Sequence, residues 1–255
     1  MRPDASGTSS FLRPFWAGFR TPPWLLSLAL LAILAAARYY AVFGPPPARI
    51  LYLLHLAIMI ALPFVLLTPD GRRRIGLRRQ GNSLPALALS ACAGAICGLT
   101  VFAVGMALYG NSADNWCLSI RDSFQIEQLR PHMPSAAILA VILLPATLLS
   151  PVAEEIFFRG ILHHSFAERW NIVSATIVNG LAFGLIHLHV HGLWRDAAGF
   201  QLRLVSGALM VLLLALASAV FTLCRERTGS LYAAMAAHAA CNLTMLSAVF
   251  FVYVR

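Results

Sequence analysis

The chain contains no lysine: every one of its 19 basic residues is arginine. That absence reads as a genomic bias toward arginine codons, which points to a bacterial source. Charge is scarce as well. Only 11% of the 255 residues are charged, against about 25% in a soluble domain, so an ordinary globular domain is excluded. The five cysteines are Cys92, Cys97, Cys117, Cys224 and Cys241, and no two form a C-x-x-C pair. Most fall in or beside apolar runs, where cysteine acts as a small hydrophobe. A disulfide framework and a structural zinc site are therefore not expected. No H-E-x-x-H occurs, so the usual zinc-protease helix is missing. Nor is there an internal repeat of the transporter kind.

What is present is apolar residue, 59% of the chain. Several runs reach the roughly 18 residues that cross a bilayer. The expected architecture is all-α, a polytopic transmembrane bundle of seven spans, or eight if a helix carrying two adjacent glutamates crosses separately. Residues 1–23 read as a basic cytoplasmic tail, 24–134 as N-terminal membrane helices and 135–255 as the core that carries the chemistry. The spans run Trp24 to Ala37 or as far as Phe43, Ile50 to Leu67, Leu84 to Tyr109, Ser135 to Ser150 with a continuation to about Arg169, Asn171 to His189, Leu204 to Cys224, and Ser230 to Val254. Gly94, Gly98 and Ala91 suit the third span to close helix contact. Pro145 and Pro151 are expected to kink the fourth. A short helix is expected between Val190 and Arg203.

The net charge of +9 does not imply nucleic acid, because the arginines gather at span ends and in short loops. Arg72, Arg73, Arg74, Arg78 and Arg79 mark one loop as cytoplasmic, and the overall count places the N-terminus inside. Arg38 and Arg49 are assigned to the opposite side. The expected location is a bacterial inner membrane, with the glutamate pair near the cytoplasmic end of its helix and the site open toward the cytoplasm.

Function turns on Pro151 to Phe166, PVAEEIFFRGILHHSF. A charge at membrane depth costs roughly 2.5–3.5 kcal/mol on insertion scales, so Glu154, Glu155 and Arg159 are costly within six residues. Glu155 and Arg159 are four apart and share a helix face, while Glu154 is turned about 100° away and left free. In the fifth span Asn179, Phe183 and His187 stack on one face, beside Gly180 and Gly184. In the last span His238 and Asn242 are also four apart. A desolvated glutamate beside a histidine can take a proton from water. A second histidine and an asparagine can hold an oxyanion.

The order E-E-x-x-x-R, F-x-x-x-H, H-x-x-x-N on successive membrane helices resembles the CPBP family, which includes the type II CAAX prenyl proteases and bacteriocin-processing or self-immunity proteins. The resemblance covers Ser135 to Val254. It implies that Glu154 activates a water with help from His187, that His238 and Asn242 form the oxyanion hole, and that Glu155 and Arg159 support the site, with Phe183 as part of its motif. It further implies an intramembrane endopeptidase acting near the C-terminus or membrane boundary of a membrane-anchored protein or peptide. A prenylated CAAX protein, a peptide precursor and a C-terminal sorting tail are the candidate substrates.

Plainer readings stand beside these. The charges can be a structural ion-pair cluster, and His187, His238 and Asn242 can serve interhelical hydrogen bonding. The whole chain can be a non-catalytic immunity or scaffold protein. A zinc ion held by Glu154, His187 and His238 stays open, although Glu, two His and Asn supply base and oxyanion donors without one. His187, His189 and His191 alternate, so on a helix they cannot share one ion. His189, His191, His163 and His164 are expected outside the site.

Overall fold

The structure is a computed structural model that describes residues 11–78, 83–124, 131–196 and 199–253. Arg2, Arg79, Arg130 and Arg255 lie outside the described residues. Among the described residues, seven helices are long and apolar enough to cross a membrane. Their outer faces expose Ile33, Leu89, Ile96, Val173, Ile177 and Leu216. Apolar surface on every side suits lipid, in which a helix satisfies its own backbone.

Helix α1 spans Pro23–Phe43 and α2 spans Ile50–Leu66. The first helix therefore runs to the further of the two expected ends, and Arg38 lies inside it rather than in a loop. The chain before it is not a free tail over its described part. Leu12 bridges Leu67, and the Trp16 indole donates to the Val65 carbonyl at 3.0 Å. A short helix, Pro69–Arg74, carries three of the loop arginines. Its cap is Thr68, whose hydroxyl accepts from the Gly71 amide.

Helix α3 is Leu84–Tyr109, capped by Ser83, and α4 is Trp116–Ser123, capped by Asn115. The next span, α5, is a single 35-residue helix from Ser135 to Arg169, so the count is seven spans and not eight. Its two prolines do not break it. A wide turn at Pro145–Leu149 starts on the first and leads into the second, with a hydrogen bond to the fifth residue back from Ser150 N–H to the Pro145 carbonyl, and a second wide turn follows at Ile156–Leu162. Glu154 and Glu155 consequently sit mid-helix, not at its end.

Helix α6 is Ile172–Ile186, capped by the Asn171 side chain, and a tight turn carries it to His189. Where a short helix was expected, β1 (Leu193–Asp196) and β2 (Gly199–Leu202) form an antiparallel hairpin pairing Leu193 with Leu202. Gly199 enters it at φ 111°, a left-handed value that favours glycine. Helices α7 (Leu204–Thr228) and α8 (Leu231–Tyr253) complete the bundle.

Two contacts fix the parts that matter for the site. α3 lies on α8 with almost no gap: a Cβ on Gly94 would stand 1.7 Å from the Ala237 carbonyl oxygen. α1 is tied to α5 by Ser27 and Ser165, 2.7 Å apart, and to α6 by the Tyr39 hydroxyl on the Leu185 carbonyl at 2.9 Å.

Candidate active site

The wide turns of α5 are where its backbone chemistry changes. Such turns within α-helices gather at functional sites. Ser150 N–H is committed to Pro145, and Pro151 has no N–H to offer. The Ala146 carbonyl is thereby released from the ladder, and the Asn242 amide donates to it at 2.8 Å. A proline in one helix thus fixes an asparagine in another.

Glu154 and Glu155 are both buried. They face different partners. Glu155 Oε1 accepts from His238 Nδ1 at 2.7 Å and lies 2.9 Å from Arg159 Nη1. The Arg159 guanidinium is flanked by the rings of Phe183 and Phe221, 4.5 and 5.2 Å from their centroids, so a desolvated cation meets two aromatic faces. Phe183 has a second role. Its carbonyl accepts from His187 Nδ1 at 2.7 Å. Since a carbonyl only accepts, Nδ1 carries a proton, and in the neutral ring Nε2 is then the lone-pair nitrogen.

Glu154 is divided between two functions. Oε1 accepts from Arg38 Nη2 and, at 2.9 Å, from the Ser150 hydroxyl. Oε2 has no hydrogen-bond partner among the described residues. It lies 3.7 Å from His187 Nε2 and 4.0 Å from His238 Nε2. Glu154, His187, His238 and Asn242 all line one cavity of about 630 Å³, whose walls are otherwise mainly apolar. Two carboxylates and two guanidiniums, from Arg38 and Arg159, balance in charge.

The structure therefore draws Glu154, Glu155, Arg159, Phe183, His187, His238 and Asn242 together. His189 lines the same cavity, contrary to the expectation that placed it beyond. Asn179 does not join it: its amide reaches Ser218 on α7 at 3.5 Å. His163 bonds to Thr176, and His164 pairs with Glu168 toward the far end of α5. His191 bridges the hydroxyls of Ser119 and Ser206.

Three contributors escaped the sequence reading: Arg38, Tyr52 and Ser150. Arg38 is fully buried, and Tyr52 accepts from its guanidinium at 3.1 Å. The available signal was an arginine within an apolar run, AAARYYAVF, where a span-end marker was assumed.

The cavity also sits at an unexpected end. Its lining includes Ala41 and Val42, Tyr52 and Leu53, Asp122 to Phe124, and His189 and Val190. These come from the end of the bundle opposite the Pro69–Arg74 helix.

Zinc can be tested against this geometry. Glu154, His187 and His238 are chemically suitable donors. However, Arg38 places a guanidinium directly on Glu154, which opposes a dication at the same carboxylate. Among the described residues, no group of three or more His, Cys, Asp or Glu is arranged to hold a metal ion.

Residues 136–244 match the family model described as type II CAAX prenyl endopeptidase Rce1-like. Over this segment, somewhat under half of its length, the chain is similar to that family. The similarity is to a family of CAAX-type proteases, and it falls on a chain whose seven long apolar helices suit a multi-pass membrane protein. A search of curated proteins and a search of solved structures each returned no match. The matched segment begins after Arg38 and Tyr52, so two residues packed on Glu154 or its partner lie outside it.

Proposed function

We propose that this protein hydrolyses a peptide bond near the C-terminus or membrane boundary of a membrane-anchored protein or peptide. The observation that carries the reading is the free Oε2 of Glu154 facing the Nε2 atoms of His187 and His238 at 3.7 and 4.0 Å. One water, hydrogen-bonded at about 2.7–3.0 Å to its neighbours, bridges atoms at that spacing. The water oxygen attacks the scissile carbonyl carbon while Glu154 takes its proton, with His187 holding the water in line. The carbonyl oxygen becomes an oxyanion that accepts from His238 Nε2–H and the second N–H of Asn242. The C–N bond then breaks, and Glu154 returns the proton to the leaving amine.

The mainly apolar cavity suits a lipid-modified or membrane-spanning substrate, such as a prenylated CAAX protein, a peptide precursor or a C-terminal sorting tail. Among the described residues, nine arginines in loops or at span ends lie at the Pro69–Arg74 end (13, 20, 72, 73, 74, 78, 169, 225, 227) and four at the other (49, 121, 195, 203). By the positive-inside rule the first end is cytoplasmic. In a bacterial inner membrane the cavity then opens to the extracytoplasmic side.

The test is cleavage of a farnesylated CAAX peptide and of a peptide with a transmembrane sorting tail by purified protein, wild type beside Glu154→Gln, with and without a zinc chelator. Cleavage abolished by Glu154→Gln and indifferent to chelator supports the reading. Sensitivity to chelator favours the zinc mechanism. Turnover that survives Glu154→Gln, or a wild type inert on both probes, favours the non-catalytic immunity or scaffold role.

A further inference from the structure

We infer that Arg38, on the first membrane helix, is the positioning residue of the candidate base, holding one oxygen of Glu154 so that the other stays presented to water. The inference rests on the reading of Glu154 under the proposed function and adds a residue that the matched segment does not contain.

The geometry is specific. Glu154 Oε1 is saturated by two donors, the Arg38 guanidinium and the Ser150 hydroxyl. Ser150 is one turn back on the same helix and is carried wherever Glu154 goes. Arg38 comes from a different helix and is therefore the donor that fixes the carboxylate relative to the rest of the bundle. Arg38 is itself held on its other side by Tyr52, through a 3.1 Å hydrogen bond and a ring face 5.2 Å from the guanidinium carbon. The result is a relay from α2 through α1 to α5: Tyr52, Arg38, Glu154. At its end Oε2 lies toward both imidazoles.

A planar, permanently charged fork suits this role better than an ammonium. A freely rotating carboxylate would turn its open oxygen away from the imidazoles for part of the time. Misplacement by about 1 Å costs on the order of 10²-fold in rate. The family segment supplies the reacting groups, and the N-terminal helices supply the clamp that aims one of them.

The test uses the purified full chain and the two peptide probes named above, with Arg38→Met, Arg38→Lys and Tyr52→Phe. Arg38→Met is expected to lower kcat about 10²-fold with KM within about twofold, the signature of an interaction used after binding. Arg38→Lys should recover part of that loss. Tyr52→Phe keeps the charge and frees the guanidinium, and should lower kcat by a smaller factor at unchanged KM. If Arg38→Met does not yield folded protein, Tyr52→Phe and Arg38→Lys decide the matter. Full kcat in those variants, or a loss confined to KM, overturns the inference. If Glu154→Gln is inactive while Arg38→Met turns over normally, only this inference fails. If Glu154→Gln is active, or the wild type cleaves neither probe, the reading of Glu154 falls and takes this inference with it.

Discussion

His238 and Glu155 are joined nitrogen to oxygen at 2.7 Å, with both side chains buried. The carboxylate holds Nδ1, so the ring can turn only its Nε2 to the cavity. It also balances positive charge on the ring when Nε2 carries a proton for the oxyanion. Comparable orienting carboxylates are worth up to about 10⁴-fold in turnover. Glu155→Gln is therefore expected to reduce kcat by 10²- to 10⁴-fold, roughly the range for such a group. Glu155→Ala should in addition destabilise the fold by about 3–5 kcal/mol, because Arg159 is left as an uncompensated buried charge. Steady-state kinetics and thermal unfolding in detergent separate the two effects.

Asn242 donates one amide hydrogen to the Ala146 carbonyl, which leaves the other for substrate. Asn242→Asp keeps the shape and removes both donors. Loss of a single oxyanion donor costs about 10²–10³ in kcat, and that fall is expected with little change in KM. A variant that retains turnover while losing only thermal stability would limit Asn242 to bracing the released carbonyl of α5.

Part of this arrangement was legible in the sequence. Spacings of four put Glu155 beside Arg159 and Phe183 beside His187, because those relations are local to one helix. The seven spans followed from apolar length alone. Arg38 was not legible: its partner is 116 residues away, and arginine in a membrane protein is ordinarily read as a marker of a span end. The continuation of α5 to about Arg169 was legible, but how it passes its two prolines was not, since a proline's cost depends on whether neighbouring groups take over the released carbonyl. Asn242 does so for Ala146. The end at which the cavity opens required the three-dimensional pairing of helices, which no single span encodes.

The α3–α8 contact predicts a substitution far from the chemistry that disturbs it. Any side chain at Gly94 meets the Ala237 backbone, next to His238. Gly94→Val must push α8 outward, and overpacking of this kind costs about 1–3 kcal/mol. Reduced thermal stability is expected together with loss of cleavage. Gly110→Ala, where a Cβ has open space but φ is +49°, should leave turnover unchanged and bring only a small loss of stability.

Stability should also depend on pH through His191. This side chain lies outside the spans, buried between Ser119 and Ser206. Burial, helped by the charge of Arg203 and opposed by Asp114, pushes its pKa down to about 4. The unfolded chain takes up that proton near pH 6.5, roughly the ordinary value. Between pH 6.5 and 4 the unfolded state therefore binds more protons, and stability falls as the pH is lowered. Each 1 kcal/mol lost should lower Tm by about 2–4 °C in a chain of this size. His191→Gln should flatten that dependence. An equally steep decline in the variant would assign it to other groups.

The orientation of the bundle decides which substrates can reach the site. The arginine-rich end and the cavity end are opposite, so they cannot both face the cytoplasm. Ser123 is exposed and lines the cavity, whereas Arg73 is exposed on the Pro69–Arg74 helix. In a background without the native cysteines, Ser123→Cys should react with a membrane-impermeant maleimide added to intact spheroplasts. Arg73→Cys should react only after lysis. That pattern presents the cavity to the extracytoplasmic side, where a sorting tail or exported peptide precursor is available and a cytoplasmic prenylated protein is not. The reverse pattern would overrule the arginine count and return the prenylated CAAX substrate to first place.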